Sequence, residues 1–412
     1  MTIDSPRPFE ANAGVIAAHL PTGTDRVRIL ADGRSVRVLR IRGGRRVLLT
    51  QPLGLPSRDL TLRVEAYHGG KLLAARSVGS VFGLPRAALV VAPPRRLDGA
   101  LQHEVRSLRS QTGVATSAWI RDLRRGTAAA SNAGARFPSA STLKLGILLA
   151  LFARSDVDPT AAGSWSLVRS MIQSSSNRAA NQLLPSAGGA EGVNSLMASA
   201  GATATDICCP YLLESDESLR SSNGMNRTEQ QEAITPQASV KPLRLDAVFR
   251  ASARKQRHER RHRQTPRGIP SALLSWALAP PVPPIDVTEQ PTFPCCKYTT
   301  AHDLGSVLVS LVLASSGHGP LARVGLAPRE ARVAEWLLIH TDYPGLVRPT
   351  VPYVVGHKAG WLPDMQHDAA LVFSPRGTIV VAVMTYSPAG VSYSRARDAT
   401  ARLMRVAVTR QG

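Results

Sequence analysis

Between Phe137 and Leu151 a run of small polar residues, Pro138-Ser139-Ala140-Ser141-Thr142, passes into Leu143-Lys144-Leu145-Gly146-Ile147-Leu148-Leu149-Ala150-Leu151. Leu143, Ile147, Leu148 and Leu151 recur at helical spacing, and the segment is apolar almost all round. Such a helix is stable only when a domain surrounds it, so this stretch marks the interior of a sizeable fold. Pro138 and Ser139 stand where a helix would begin. Ser141 and Lys144, three residues apart, then share one helix face. That pairing suits nucleophilic chemistry. A serine hydroxyl is too weak an acid to attack a carbonyl unaided, and a partly desolvated lysine can take its proton. The helix N-terminus adds N–H donors where an oxyanion would form.

The chain has 412 residues, enough for two or three domains. No apolar run is long enough to span a bilayer, and Met1 to Ala18 hold no long apolar segment, so no secretory leader is expected in the sequence as given. A net charge of +21 favours anionic partners, among them carboxylate-bearing substrates and cell-wall polymers. The four cysteines form two adjacent pairs, Cys208-Cys209 and Cys295-Cys296. A disulfide across the intervening segment suits an oxidising compartment; the two-residue gaps of a zinc site are missing.

From Gly14 to Pro85 the chain reads as all-β. Val27-Leu30, Val36-Ile41, Val47-Leu49 and Leu60-Ala66 are short alternating or β-branched runs separated by turn signals such as Ala31-Asp32-Gly33 and His68-Gly69-Gly70. Their spacing predicts a small sandwich of immunoglobulin-like type over residues 1–92. Val91-Ala92-Pro93-Pro94 is a linker candidate. Beyond it, 97–110 reads as a helix, 116–123 and 128–131 as strands, and 165–184 as one helical stretch. Thr300-Ala301-His302-Asp303 is a capping pattern ahead of the apolar helix Leu304 to Leu313. Strands are expected at 353–358, 369–373 and 378–385, the last two joined by the hairpin Ser374-Pro375-Arg376-Gly377, before a closing helix at 393–408. Residues 220–298 differ from the rest: ten basic residues between Lys241 and Arg267 face two acidic ones, and Ala279-Pro280-Pro281-Val282-Pro283-Pro284 follows. This reads as a basic, Pro-rich insertion. It lacks the interleaved aromatics of a nucleic-acid interface.

Three short boxes complete the pattern, in the order Ser141-Thr142-Leu143-Lys144, Ser175-Ser176-Asn177 and Lys358-Ala359-Gly360. They resemble the S-x-x-K, S-D-N and K-T-G boxes of class A β-lactamases and penicillin-binding serine enzymes, and the resemblance covers roughly Leu97 to Val408. It implies an α/β (α+β) fold, an antiparallel sheet flanked by helices with a helical lobe beside it, over residues 93–412. It also implies a serine hydrolase that needs no metal or organic cofactor. Ser141 would be the acylated nucleophile, Lys144 its base and Ser175 a proton shuttle. Asn177 would bind the substrate amide, and Lys358 its carboxylate. Gly360 and Trp361 would line the site, with the N–H groups of Ser141 and Trp361 as the oxyanion hole.

Several departures from the family pattern bear on activity. Ser176 replaces the usual Asp and Ala359 the usual Thr. The stretch from Lys144 to Ser175 is short. No E-x-x-L-N pattern follows the second box, and Glu214 is the nearest candidate for a deacylating base. His357 and His367 are expected to be packing residues. The resulting expectation is hydrolysis of a β-lactam or related amide or ester through an acyl-enzyme, in a monomer that is secreted or attached to the cell envelope. The rivals are a D,D-peptidase or penicillin-binding esterase, and a catalytically weak wall-binding protein.

Overall fold

The computed structural model describes residues 1–41, 46–49, 52–154, 162–211, 283, 285–294 and 297–411. These residues lie in one compact unit. Among them no helix is long and apolar enough to cross a membrane.

The N-terminal part carries strands β1 (Thr2–Ser5), β2 (Ala11–Asn12), β3 (Ile16–His19), β4 (Arg26–Ala31), β5 (Arg34–Arg40), β6 (Arg46–Leu49), β7 (Asp59–His68) and β8 (Lys71–Gly83). They form a three-stranded sheet, β1-β3-β6, and a five-stranded one, β2-β8-β7-β4-β5. Ile16 and Ala18 of the first share a core with Val27, Ile29, Val64 and Ala66 of the second. The alternation that makes β4 and β7 legible in the sequence is this inward row, with Arg26, Arg28 and Arg63 on the outward positions. Strands β1, β2, β3 and β8 carry no such clear signal.

The second part builds a six-stranded sheet. Its elements, in chain order, are β9 (Arg96–Leu97), helix α1 (Gly99–Thr112), β10 (Ala115–Asp122), β11 (Thr127–Ser131), β12 (Phe137–Pro138), α2 (Lys144–Phe152), α3 (Ala162–Ile172), α4 (Asn177–Leu183), α5 (Gly189–Ser199), β13 (Tyr298–Thr299), α6 (Ala301–Ala314), α7 (Gly319–Arg323), α8 (Pro328–Ile339), β14 (Val354–Leu362), β15 (Met365–Ser374), β16 (Gly377–Tyr386) and α9 (Tyr393–Arg410). The sheet order is β14-β15-β16-β10-β11-β9, so β14, which carries the third box, is an edge strand. One sheet face packs on α1 and α9 through Leu101, Val105, Leu108, Leu403 and Met404 against Ile120, Val372 and Val381. Helix α6 covers the other face, against β10, β15 and β16. Thr300 caps α6 as expected, its hydroxyl accepting from the N–H of Asp303 at 3.0 Å.

All nine residues of α2 are buried. Five of them, Leu145, Ile147, Leu148, Leu149 and Leu151, are fully buried aliphatics, each contributing about 1.5–3 kcal/mol. The helix that bears Lys144 is therefore an anchored post. The expected single helix over 165–184 is instead two. The chain breaks after α3 because Ser175 takes a left-handed φ of 59°, and Ser176 then starts α4 as its N-cap, its hydroxyl accepting from the N–H of Ala179 at 3.2 Å.

Of the expected insertion, residues 220–282 lie outside the described residues, as do Glu214, Cys295 and Cys296. Cys208 is disulfide-bonded.

Candidate active site

The turn that carries Ser141 begins where β12 pairs with β13 and the N–H of Ser139 donates to the carbonyl of Lys297 at 3.0 Å. Ala140–Leu143 is then a 3₁₀ turn, not the first turn of an α-helix. In a 3₁₀ turn residues three apart eclipse one another, a closer juxtaposition than the α-helical spacing gives. Ser141 Oγ lies 2.9 Å from Lys144 Nζ. Ala140, just before the serine, sits at a φ of 45°. The left-handed residues Ala140 and Ser175 both flank the site, where backbone strain of about 1–3 kcal/mol each is held by the packing around them.

Lys144 is fully buried. Burial pushes its pKa down, and the charge of Lys358 pushes it further, to about 6. At neutral pH the amine is largely uncharged and has two N–H groups and one lone pair. Its remaining neighbours sort these three positions. The carbonyl of Ser175 and Oδ1 of Asn177, the latter at 2.6 Å, are acceptors and take the two N–H groups. The lone pair is left for the hydroxyl of Ser141. With the amine uncharged, this sorting of partners leaves its lone pair aimed at the serine proton.

Ser175 links this base to a second lysine. Its Oγ is 3.4 Å from Lys144 Nζ and accepts from Lys358 Nζ at 2.9 Å. Lys358 also donates to the carbonyl of Ala359 at 3.0 Å. Burial lowers its pKa to about 8, with Asp368 opposing the shift. At neutral pH Lys358 is mostly charged while Lys144 is mostly neutral. Two like groups with separated titrations are the arrangement that divides acid from base work.

The third box reaches the turn because residue 360 is glycine. A Cβ there would lie 3.0 Å from the Ser139 carbonyl oxygen and from Cγ2 of Thr142. Trp361 follows at the exposed end of β14, its indole stacked on Tyr343 with centroids 5.1 Å apart. The two histidines beside the box are buried and structural. His367 donates through Nε2 to the carbonyl of Pro138 at 2.7 Å and accepts the N–H of Thr385 at Nδ1 at 3.2 Å, which ties β15 and β16 to the strand ahead of Ser141. Burial lowers its pKa to about 4, so it stays neutral. His357 pairs with Asp368 at 2.8 Å.

The structure therefore brings Ser141, Lys144, Ser175, Asn177 and Lys358 into one connected network and sets Gly360 and Trp361 at its edge. Glu214 lies outside the described residues. One residue of the site escapes sequence reasoning. Tyr211 is buried with its ring centroid 4.7 Å from Lys144 Nζ. No spacing rule links a tyrosine after the paired cysteines to a lysine on α2; packing alone joins them.

The sequence profile of the beta-lactamase enzyme family matches residues 100–161 and 277–411, the two stretches that hold the first and third boxes. Over these residues the chain is similar to that family. Among the described residues the fold is a mixed arrangement of sheets and helices. Similar solved structures include PBP-A, at 17% identity and a TM-score of 0.48, covering 78% of this chain and 100% of that one. A β-lactamase from Sphaerobacter thermophilus is 17% identical, with a TM-score of 0.49 and coverage of 76% and 97%. A β-lactamase from Streptosporangium roseum is 15% identical, with a TM-score of 0.47 and coverage of 76% and 99%. No curated protein matches the sequence.

Proposed function

We propose that this β-lactamase-family serine hydrolase transfers an acyl group from a β-lactam, or from a related amide or ester such as a D-Ala-D-Ala terminus, to Ser141 and then to water. The observation that carries the reading is the buried, largely neutral Lys144 amine, whose N–H groups are occupied by Ser175 and Asn177 and whose lone pair faces Ser141 Oγ at 2.9 Å. In the first step Lys144 takes the Ser141 proton as the serine oxygen attacks the carbonyl carbon. The amide C–N bond then breaks, and the leaving nitrogen receives a proton from Ser175, which Lys358 replenishes. Lys358 and the basic chain favour a carboxylate-bearing substrate. Asn177 orients the substrate amide, and N–H groups of Ser141 and Trp361 receive the oxyanion. In the second step water attacks the acyl-enzyme, with Glu214 as the proposed base.

The N-terminal residues 1–92 are read as an immunoglobulin-like module that spaces or anchors the hydrolase, and the anionic cell wall is the proposed surface for its arginines. A monomer that is secreted or held at the cell envelope fits the disulfide at Cys208. The test is intact-mass spectrometry over time with benzylpenicillin and, in parallel, with a peptide ending in D-Ala-D-Ala. A penicilloyl adduct that forms and clears as penicillin is consumed supports β-lactam hydrolysis. A persistent adduct together with release of D-Ala moves the activity to a D,D-peptidase. No adduct and no product from either compound overturns the proposal.

A further inference from the structure

We propose that the face of the Tyr211 ring stabilises the ammonium that Lys144 becomes on taking the Ser141 proton, which makes Tyr211 a positioning residue of the base. The inference rests on Lys144 acting as that base. When the Ser141 O–H bond breaks and a new N–H bond forms on Lys144, a positive charge appears in a buried place. The hydrogen-bond partners of Lys144 among the described residues are Ser141, Ser175 and Asn177, all neutral. The charged group that acts on it among the described residues is Lys358, which repels it. The ring of Tyr211, 4.7 Å away, is the remaining favourable field, since the face of an aromatic ring attracts a cation within about 6 Å and does so most strongly when water is excluded. Tyr211 is 7% exposed.

The chain fixes this ring with care for its position and none for its hydroxyl. Asn181 of α4 receives the N–H of Tyr211 at 2.7 Å and donates to its carbonyl at 2.7 Å. The same helix carries Asn177, so α4 sets both the acceptor and the ring against Lys144. Lys297 donates to the carbonyls of Cys209 and Pro210 at 3.2 and 2.7 Å, and its ammonium also lies 5.1 Å from the ring. Among the described residues the buried phenol oxygen has no hydrogen-bond partner. A buried, unpartnered hydroxyl destabilises the fold; the ring is what the site uses.

The test replaces Tyr211 in the full chain by phenylalanine and by mono-, di- and trifluorophenylalanine, near-isosteric side chains whose rings attract a cation progressively less. The pKa of Lys144 is read by NMR of lysine labelled at Cε, its signal assigned by loss in Lys144→Arg. The expected result is a Phe variant that titrates as wild type and a steady fall along the fluorinated series, reaching roughly a tenfold loss of ammonium population at a given pH. Acylation by benzylpenicillin falls in the same order, roughly threefold in all, because the base weakens. A Lys144 titration that does not move along the series overturns the inference, whatever the acylation rates. A graded titration in a protein that never acylates upholds the ring's effect on Lys144 and overturns the proposed function instead.

Discussion

Replacing Lys144 by methionine removes the titrating group at little change in volume, and the pH dependence of the stability difference reads the state of the base directly. In the native chain Lys144 titrates at about 6; in the unfolded chain a lysine titrates near 10.4. Between these values the unfolded state binds one proton more than the native state, so the wild type gains stability as pH rises, by about 1.4 kcal/mol per unit. The contribution is complete above about pH 10.4, is lost as pH falls to about 6, and spans on the order of 6 kcal/mol. Methionine also removes the Lys144 donor from the Ser175 carbonyl and Asn177 Oδ1, a cost of a few kcal/mol that does not vary with pH. The slope, not the offset, therefore tests the reasoning. Urea unfolding of both proteins at several values between about pH 6.5 and 9.5 should show the wild type gaining roughly 4 kcal/mol on Lys144→Met across the series. A difference that stays flat over this range means that Lys144 is charged in the folded protein, and the neutral-base mechanism fails.

Other expectations follow from single contacts. Ser176→Ala removes the cap of α4 and should lower stability by about 1 kcal/mol in urea unfolding, whereas Ser176→Asp, which restores the residue usual in the family, should retain it. Glu335 on α8 is 1% exposed, and burial raises its pKa to about 8, with Arg332 nearby opposing the shift. Its native form holds a proton that the unfolded chain loses near pH 4.3, so wild-type stability falls between about pH 4.3 and 8. Glu335→Gln should accordingly match the wild type in thermal melts near pH 4 and exceed it near pH 8. His367→Ala strands the Pro138 carbonyl and the Thr385 N–H in the interior and should cost about 2–5 kcal/mol, while slowing acylation through the loosened turn.

Much of the fold can be read in the sequence where one physical signal dominates. The all-round apolar run after Ser141 announced a buried helix, and β14, β15 and β16 with their hairpin were marked by β-branched runs and Ser374-Pro375-Arg376-Gly377. Local rules failed where tertiary packing overrides them. The helical pattern runs on through Ser174 and Ser175, and nothing local shows that Ser175 turns left-handed so that its carbonyl can face Lys144. Ser176 departs from the aspartate usual in the family pattern, yet it performs the capping that an aspartate also performs. The site was legible as three boxes because each is short and local. Tyr211 was not legible as part of it, since its role exists only once distant elements meet.

The central claim is that Ser141 is the residue acylated. Tryptic digestion after brief exposure to benzylpenicillin would release the peptide from Phe137 to Lys144, which contains Ser139, Ser141 and Thr142. Fragmentation should place the penicilloyl mass on Ser141, and Ser141→Ala, folded as judged by an unchanged melt, should take up none. A label on any other residue, or an equal uptake by Ser141→Ala, would contradict the account.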